Sequence, residues 1–120
     1  MKSDNEKKYD LEDRTFLFAK NVIEYLRTLS KGITHSEIGK QLVRSGGSVG
    51  ANYIEANESL SKKDFVMRIK ICRKEAKESA YWLKLVDTED DTELERERHE
   101  LAQEATELTN IFGSILRKSQ

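Results

Sequence analysis

Proline is absent from all 120 residues, and apolar residues recur every three or four positions. Together these two features confine the chain to long helices. A proline inside a helix removes a backbone donor and clashes with the preceding turn. A chain without one can run unbroken for many turns, the more so when Glu, Lys, Arg, Leu and Ala dominate. Aromatic residues make up only 8%, which suits a bundle packed by Leu, Ile, Val and Ala better than a β-sandwich. The length fits one domain, spanning residues 1–120.

The periodicity divides into helices expected over about 10–30, 34–59, 61–87 and 91–118, after a tail over residues 1–8. In the first, Leu11, Phe18, Val22, Tyr25 and Leu29 form one row, and Phe16, Ala19, Ile23 and Leu26 a second beside it. Gly32 is the expected left-handed stop. Thr34 with Glu37 reads as a capping box and Ile33 with Ile38 as a hydrophobic staple. The core row then runs Ile38, Leu42, Ser45, Val49, Tyr53, Ala56. Ser61 with Asp64 and Leu60 with Phe65 repeat both devices at the next helix start. Acidic residues Glu89 to Asp91 are expected to open the last helix, where negative charge suits the dipole. Its core row is Leu94, Leu101, Ala105, Leu108, Phe112 and Ile115. Four amphipathic helices with short connections give an all-α, antiparallel up-down-up-down four-helix bundle.

The third helix has three faces at 100° per residue. Phe65, Ile69, Cys72, Ala76, Ala80 and Leu83 form the core face. Lys62, Lys63, Lys70, Arg73, Lys74, Lys77 and Lys84 form a basic stripe, and Met67, Ile71, Glu75, Glu78, Trp82 and Leu85 occupy the other flank. The net charge of -1 argues against a generally basic nucleic-acid binder, but it averages unlike halves. Lys62–Lys77 holds seven Lys/Arg against Asp64 and Glu75, whereas Glu89–Glu107 holds nine acids against Arg96 and Arg98. Two readings of the stripe stand. Lys63, Lys70, Arg73, Lys74 and Lys77 contact nucleic-acid phosphates, or the stripe pairs with the acidic fourth helix, within or between chains. On the other flank, Met67, Ile71, Glu75, Glu78 and Trp82 are read as an oligomer contact; the alternative is that Trp82 widens the core.

The remaining chemistry is thin. Gly46, Gly47 and Gly50 lack the strand and the Lys-Ser/Thr of a phosphate loop, so Gly39, Gly46 and Gly50 are read as a packing stripe. Glu55, Glu75 and Glu78 lack the Glu-x-x-His partners of a carboxylate metal site; no metal and no cofactor are expected. Cys72 lies on the core row, away from any histidine, and no nucleophile–base pair can be assembled, so no enzyme is expected. A single cysteine, no signal-peptide core and no apolar run of spanning length lead us to expect a cytoplasmic protein outside membranes.

The run SVGANYIEANESLSKKDF, followed by KICRKEAKESAYWLKL, resembles the 23S rRNA intervening-sequence protein family, the S23-like four helix bundle proteins. The residues carrying the resemblance are Ser48, Asn52, Glu55, Ser61, Asp64, Phe65, Glu75, Glu78, Trp82 and Leu83. It implies an antiparallel bundle assembled as a homopentamer, without established catalytic activity. It also implies a link to RNA or other nucleic acid, since a related branch contains the accessory proteins of diversity-generating retroelements. This chain departs from the pattern in its net charge and at Asn57, where many members have glycine. The function expected is that of a non-enzymatic, oligomeric, RNA-associated bundle; the alternative is a protein-interaction scaffold without nucleic-acid contact.

Overall fold

The computed structural model describes residues 4–119, which form α1 (Asp4–Arg27), α2 (Ile33–Asn57), α3 (Lys62–Leu85) and α4 (Thr92–Ser119). Each helix packs against its two neighbours around a square, and α1 and α3, like α2 and α4, face each other diagonally without close approach. The side α1–α2 is therefore opposite the side α3–α4. Cross-helix pairs fix the directions. Arg14 meets Glu104 and Tyr25 meets Leu94, so α1 and α4 are antiparallel. Asn57 meets Glu12, whereas Gly39 faces Leu26, so α1 and α2 are antiparallel as well. Arg68 with Asn52 and Ser79 with Ser45 do the same for α2 and α3. The expected antiparallel bundle is what the chain forms.

The core follows the predicted rows. Phe18, Val22, Leu42, Val49, Ile69, Cys72, Ala76, Leu83, Ala105, Leu108 and Phe112 are buried in one cluster. The second row of α1 behaves differently: Leu26 packs against the core, but Phe16 and Ile23 are exposed. A bundle with four corners buries one stripe per helix, and α2 covers only the near side of this row.

Several helix ends depart from expectation. α1 starts at Asp4, inside the stretch expected as a tail, because no Gly or Pro interrupts it; residues 1–3 of that tail lie outside the described residues. It ends at Arg27 without a left-handed glycine. The amide and hydroxyl of Thr28 both donate to the Tyr25 carbonyl, at 3.0 and 2.6 Å, which closes the last turn early. Gly32 is extended (φ 165°) and precedes α2, whose first turn has no side-chain cap. The capping box of Thr34 and Glu37 does not form, because the helix already starts at Ile33. Both staples fail as well, since Ile33 is 79% and Leu60 98% exposed. The Ser61 cap is real: its hydroxyl accepts from Asp64 N at 3.1 Å. Glu89 and Asp90 are not helical but adopt left-handed φ values of 53° and 64°, and Asp91 caps α4 by accepting from Leu94 N at 3.0 Å.

Candidate nucleic-acid interface

On the outer face of α3, Lys70, Lys74, Lys77 and Tyr81 follow one another at spacings of four, three and four, forming one ridge. Arg73 lies beside them on the α4 side. The groove between α3 and α4 is lined by these residues together with Glu78 and, from α4, Gly113, Leu116 and Arg117. Four of the five cations assigned to the stripe thus share one groove. Lys63 is exposed near the start of α3 and lies outside it.

Gly113 decides the shape of the groove floor. A Cβ built on it would lie 3.6 Å from Nε of Arg73 and 3.5 Å from Nη1 of Arg117. Two guanidinium groups therefore converge over a spot with no side chain of its own. Among the described residues no carboxylate comes within ion-pair distance of Lys70, Arg73, Lys74, Lys77 or Arg117. The one acid lining the groove, Glu78, is already engaged by Arg44. Like charges brought together without a counter-charge raise the local potential and favour an anion.

The acidic helix does not neutralise this face. Arg96 pairs with Glu93 and Glu100, Arg98 with Glu95, and Glu104 and Glu107 both bind Arg14 of α1. Among the described residues, no ion pair joins the stripe to α4 inside one chain, one of the readings open from the sequence. Arg117 and Gly113 carried no signal in the sequence, because their relation to Arg73 depends on the register of α4 against α3. Tyr81, read as neither core nor contact, is 58% exposed and lines the same groove.

The flank assigned to oligomer contact is mostly internal architecture between α2 and α3. Glu75 is buried and accepts from Arg44 Nη1 at 2.9 Å, and the second guanidinium arm reaches Glu78. Beneath them the hydroxyls of Ser45 and Ser79 are buried 2.8 Å apart, and Ser79 also donates to the Glu75 carbonyl. Ile71 is half-buried, and Trp82 packs on the core while its ring meets Tyr81 edge-on. Of the five residues only Met67 is widely exposed. The larger apolar exposure lies on the side of the bundle opposite the α3–α4 groove, where Phe16 and Ile23 of α1 and Val43 and Ile54 of α2 all reach solvent. On the helical period these four flank the α1–α2 seam.

Among the described residues no group of three His, Cys, Asp or Glu could hold a metal ion, and no helix is long and apolar enough to cross a membrane. Cys72 is buried with its thiol donating to the Val49 carbonyl at 3.4 Å, and burial pushes it up to about 12.

Residues 7–114 match the 23S rRNA-intervening sequence protein family. The chain belongs to that family. It is also similar to a crystal structure described as a protein with unknown function from the S23 ribosomal protein family of Bacteroides thetaiotaomicron. The two share 28% identity with a TM-score of 0.76, over 92% of this chain and 98% of that one. None of the curated proteins matches it. The residues that carry the resemblance join α2 to α3. Asn52 donates to the carbonyl and hydroxyl of Ser48 and accepts from Arg68, Ser61 caps α3, and Glu75 and Glu78 share Arg44. At Asn57 no left-handed turn is needed: α2 ends through Glu58 at φ -94°, and the Asn57 amide ties it to Glu12 of α1 at 2.8 Å.

Proposed function

We propose that this chain is a non-enzymatic, self-associating cytoplasmic protein that holds RNA by its phosphate backbone in the α3–α4 groove. The observation that carries this reading is the convergence of Arg73 and Arg117 over Gly113, with no carboxylate partner among the described residues. A guanidinium presents paired donors that match phosphate oxygens, and lysines add mobile point charges around it. The family's name, which refers to an rRNA intervening sequence, supports RNA as the polymer. Filter binding of a structured RNA across a salt series tests it. Five cations on phosphates give a log–log slope of about -4. Changing Arg73 and Arg117 together to Gln should weaken binding and flatten the slope by about 2. Absence of binding at low salt would refute the reading.

Self-association, as a pentamer on the family resemblance, is supported by the exposed Phe16, Ile23, Val43 and Ile54, which lie opposite the groove and so leave it open in an assembly. Light scattering of wild type against a combined Ile23→Ser, Ile54→Ser variant tests this; a monomeric wild type ends it. A second reading, a scaffold without RNA, draws on the carboxylates of Asp13, Glu24, Glu97, Glu100 and Glu104 along the α1–α4 groove. In that case the basic groove of one copy seats on the acidic groove of the next, and the assembly falls apart with salt while RNA is ignored.

A further inference from the structure

We infer that the α3–α4 groove takes single-stranded rather than duplex nucleic acid, with an unpaired base lying on the ring of Tyr81; this rests on the phosphate-groove reading above. An isolated exposed aromatic on a surface needs no explanation. Tyr81 is not isolated. It ends the ridge that Lys70, Lys74 and Lys77 begin, and it lines the same groove as Arg73 and Arg117. Along that ridge the helix rises about 1.5 Å per residue, so Tyr81 lies about 16 Å from Lys70, a distance that spans several nucleotides.

The ring is also held in place. It meets Trp82 edge-on, with centroids 5.1 Å apart and planes at 73°, and Trp82 is itself packed on the core. A platform fixed in this way loses little rotational freedom when something stacks on it, while 58% of the residue remains open to solvent. In a duplex the base faces are covered by their neighbours, so a lone aromatic beside a row of cations gains nothing from it. An unpaired base offers its π-face, and stacking of bases on aromatic side chains beside a cationic track is the general means of holding single strands.

The chain's only tryptophan adjoins the platform, so its emission reports on the site. Three probes are titrated at one low salt concentration: a short oligouridylate, an RNA duplex of the same length, and inorganic polyphosphate. The oligouridylate should bind about tenfold more tightly than the duplex and quench Trp82, whereas polyphosphate should bind without quenching. Tyr81→Leu, which keeps bulk but removes the π-face, should abolish the single-strand advantage, whereas Tyr81→Phe should keep it. Equal affinity for single strand and duplex, or a Tyr81→Leu protein that still prefers the single strand, overturns this inference and leaves the groove reading intact. Failure of all three probes to bind overturns the groove reading and this inference with it.

Discussion

Gly50 and Thr15 pack tightly across the α1–α2 seam: a Cβ on Gly50 would lie 3.0 Å from Oγ1 and 3.3 Å from Cβ of Thr15. Thr15 is buried, and its hydroxyl donates to the carbonyls of Leu11 and Glu12 at 2.9 and 3.0 Å, so it has nowhere to retreat. At Gly46 the nearest atom, Cε2 of Phe18, would be 3.7 Å away, an ordinary contact. Gly46→Ala should therefore gain the helix propensity of alanine, about 1 kcal/mol, and raise Tm by about 4 °C. Gly50→Ala should lose that gain to the collision and melt below Gly46→Ala. Thermal denaturation of the two variants decides it, and equal melting temperatures would mean that α1 and α2 part freely.

Arg44 should matter more for stability than its exposed position on α2 suggests. Its guanidinium is the counter-charge for Glu75, a residue only 5% exposed, and it holds Glu78 as well. Arg44→Met leaves a buried charge without its partner and should cost about 2 kcal/mol. Adding Glu75→Gln removes that charge and should recover part of the loss, which a double-mutant cycle by chemical denaturation measures. Strict additivity would show that the two side chains do not act as a pair.

How far the sequence disclosed this molecule depended on the range of the signal. Helix identity and core rows were legible because the 3.6-residue period and the absence of proline act within one segment, as in Leu42–Val49–Tyr53. The stripe of Lys70, Arg73, Lys74 and Lys77 was legible for the same reason. Its completion by Arg117 over Gly113 was not, since no single helix encodes the register of another. Local motifs also misled where tertiary bonds competed with them. Thr34 with Glu37 has the spacing of a capping box, yet α2 starts before it. Trp82 looked surplus to a complete core row, but it is partly buried and packs against the core.

Cys72 should be inert in the folded protein. Its sulfur is buried, its hydrogen goes to the Val49 carbonyl, and burial pushes the thiol up to about 12, far from the thiolate needed for reaction. Modification by a disulfide reagent should proceed only as fast as the protein opens, and it should become rapid and stoichiometric in denaturant. Rapid labelling under native conditions would show that the α2–α3 seam opens locally, well below the global unfolding free energy.

His35 makes the joint between two loops sensitive to pH. Its Nδ1 lies 2.8 Å from the Ser30 carbonyl and its Nε2 2.9 Å from the Asp87 carbonyl. Both partners only accept, so both hydrogen bonds require the doubly protonated ring. The bond to Ser30 is the main cause that raises His35 above its ordinary value of 6.5; the Asp87 carbonyl and the charges of Glu89 and Asp87 add to it, against some desolvation. With the folded pKa above the unfolded one, the contribution is fully present below about 6.5 and is lost as pH rises through the folded value. Glu89, which accepts from Ser30 Oγ at 3.0 Å, draws the same two loops together. Wild type should therefore lose stability between mildly acidic and mildly alkaline pH. His35→Gln keeps a donor toward one carbonyl but cannot titrate, so its melting temperature should stay flat over that window and meet the wild-type curve at the alkaline end. A His35→Gln profile that falls in parallel with wild type would assign the pH dependence to another group.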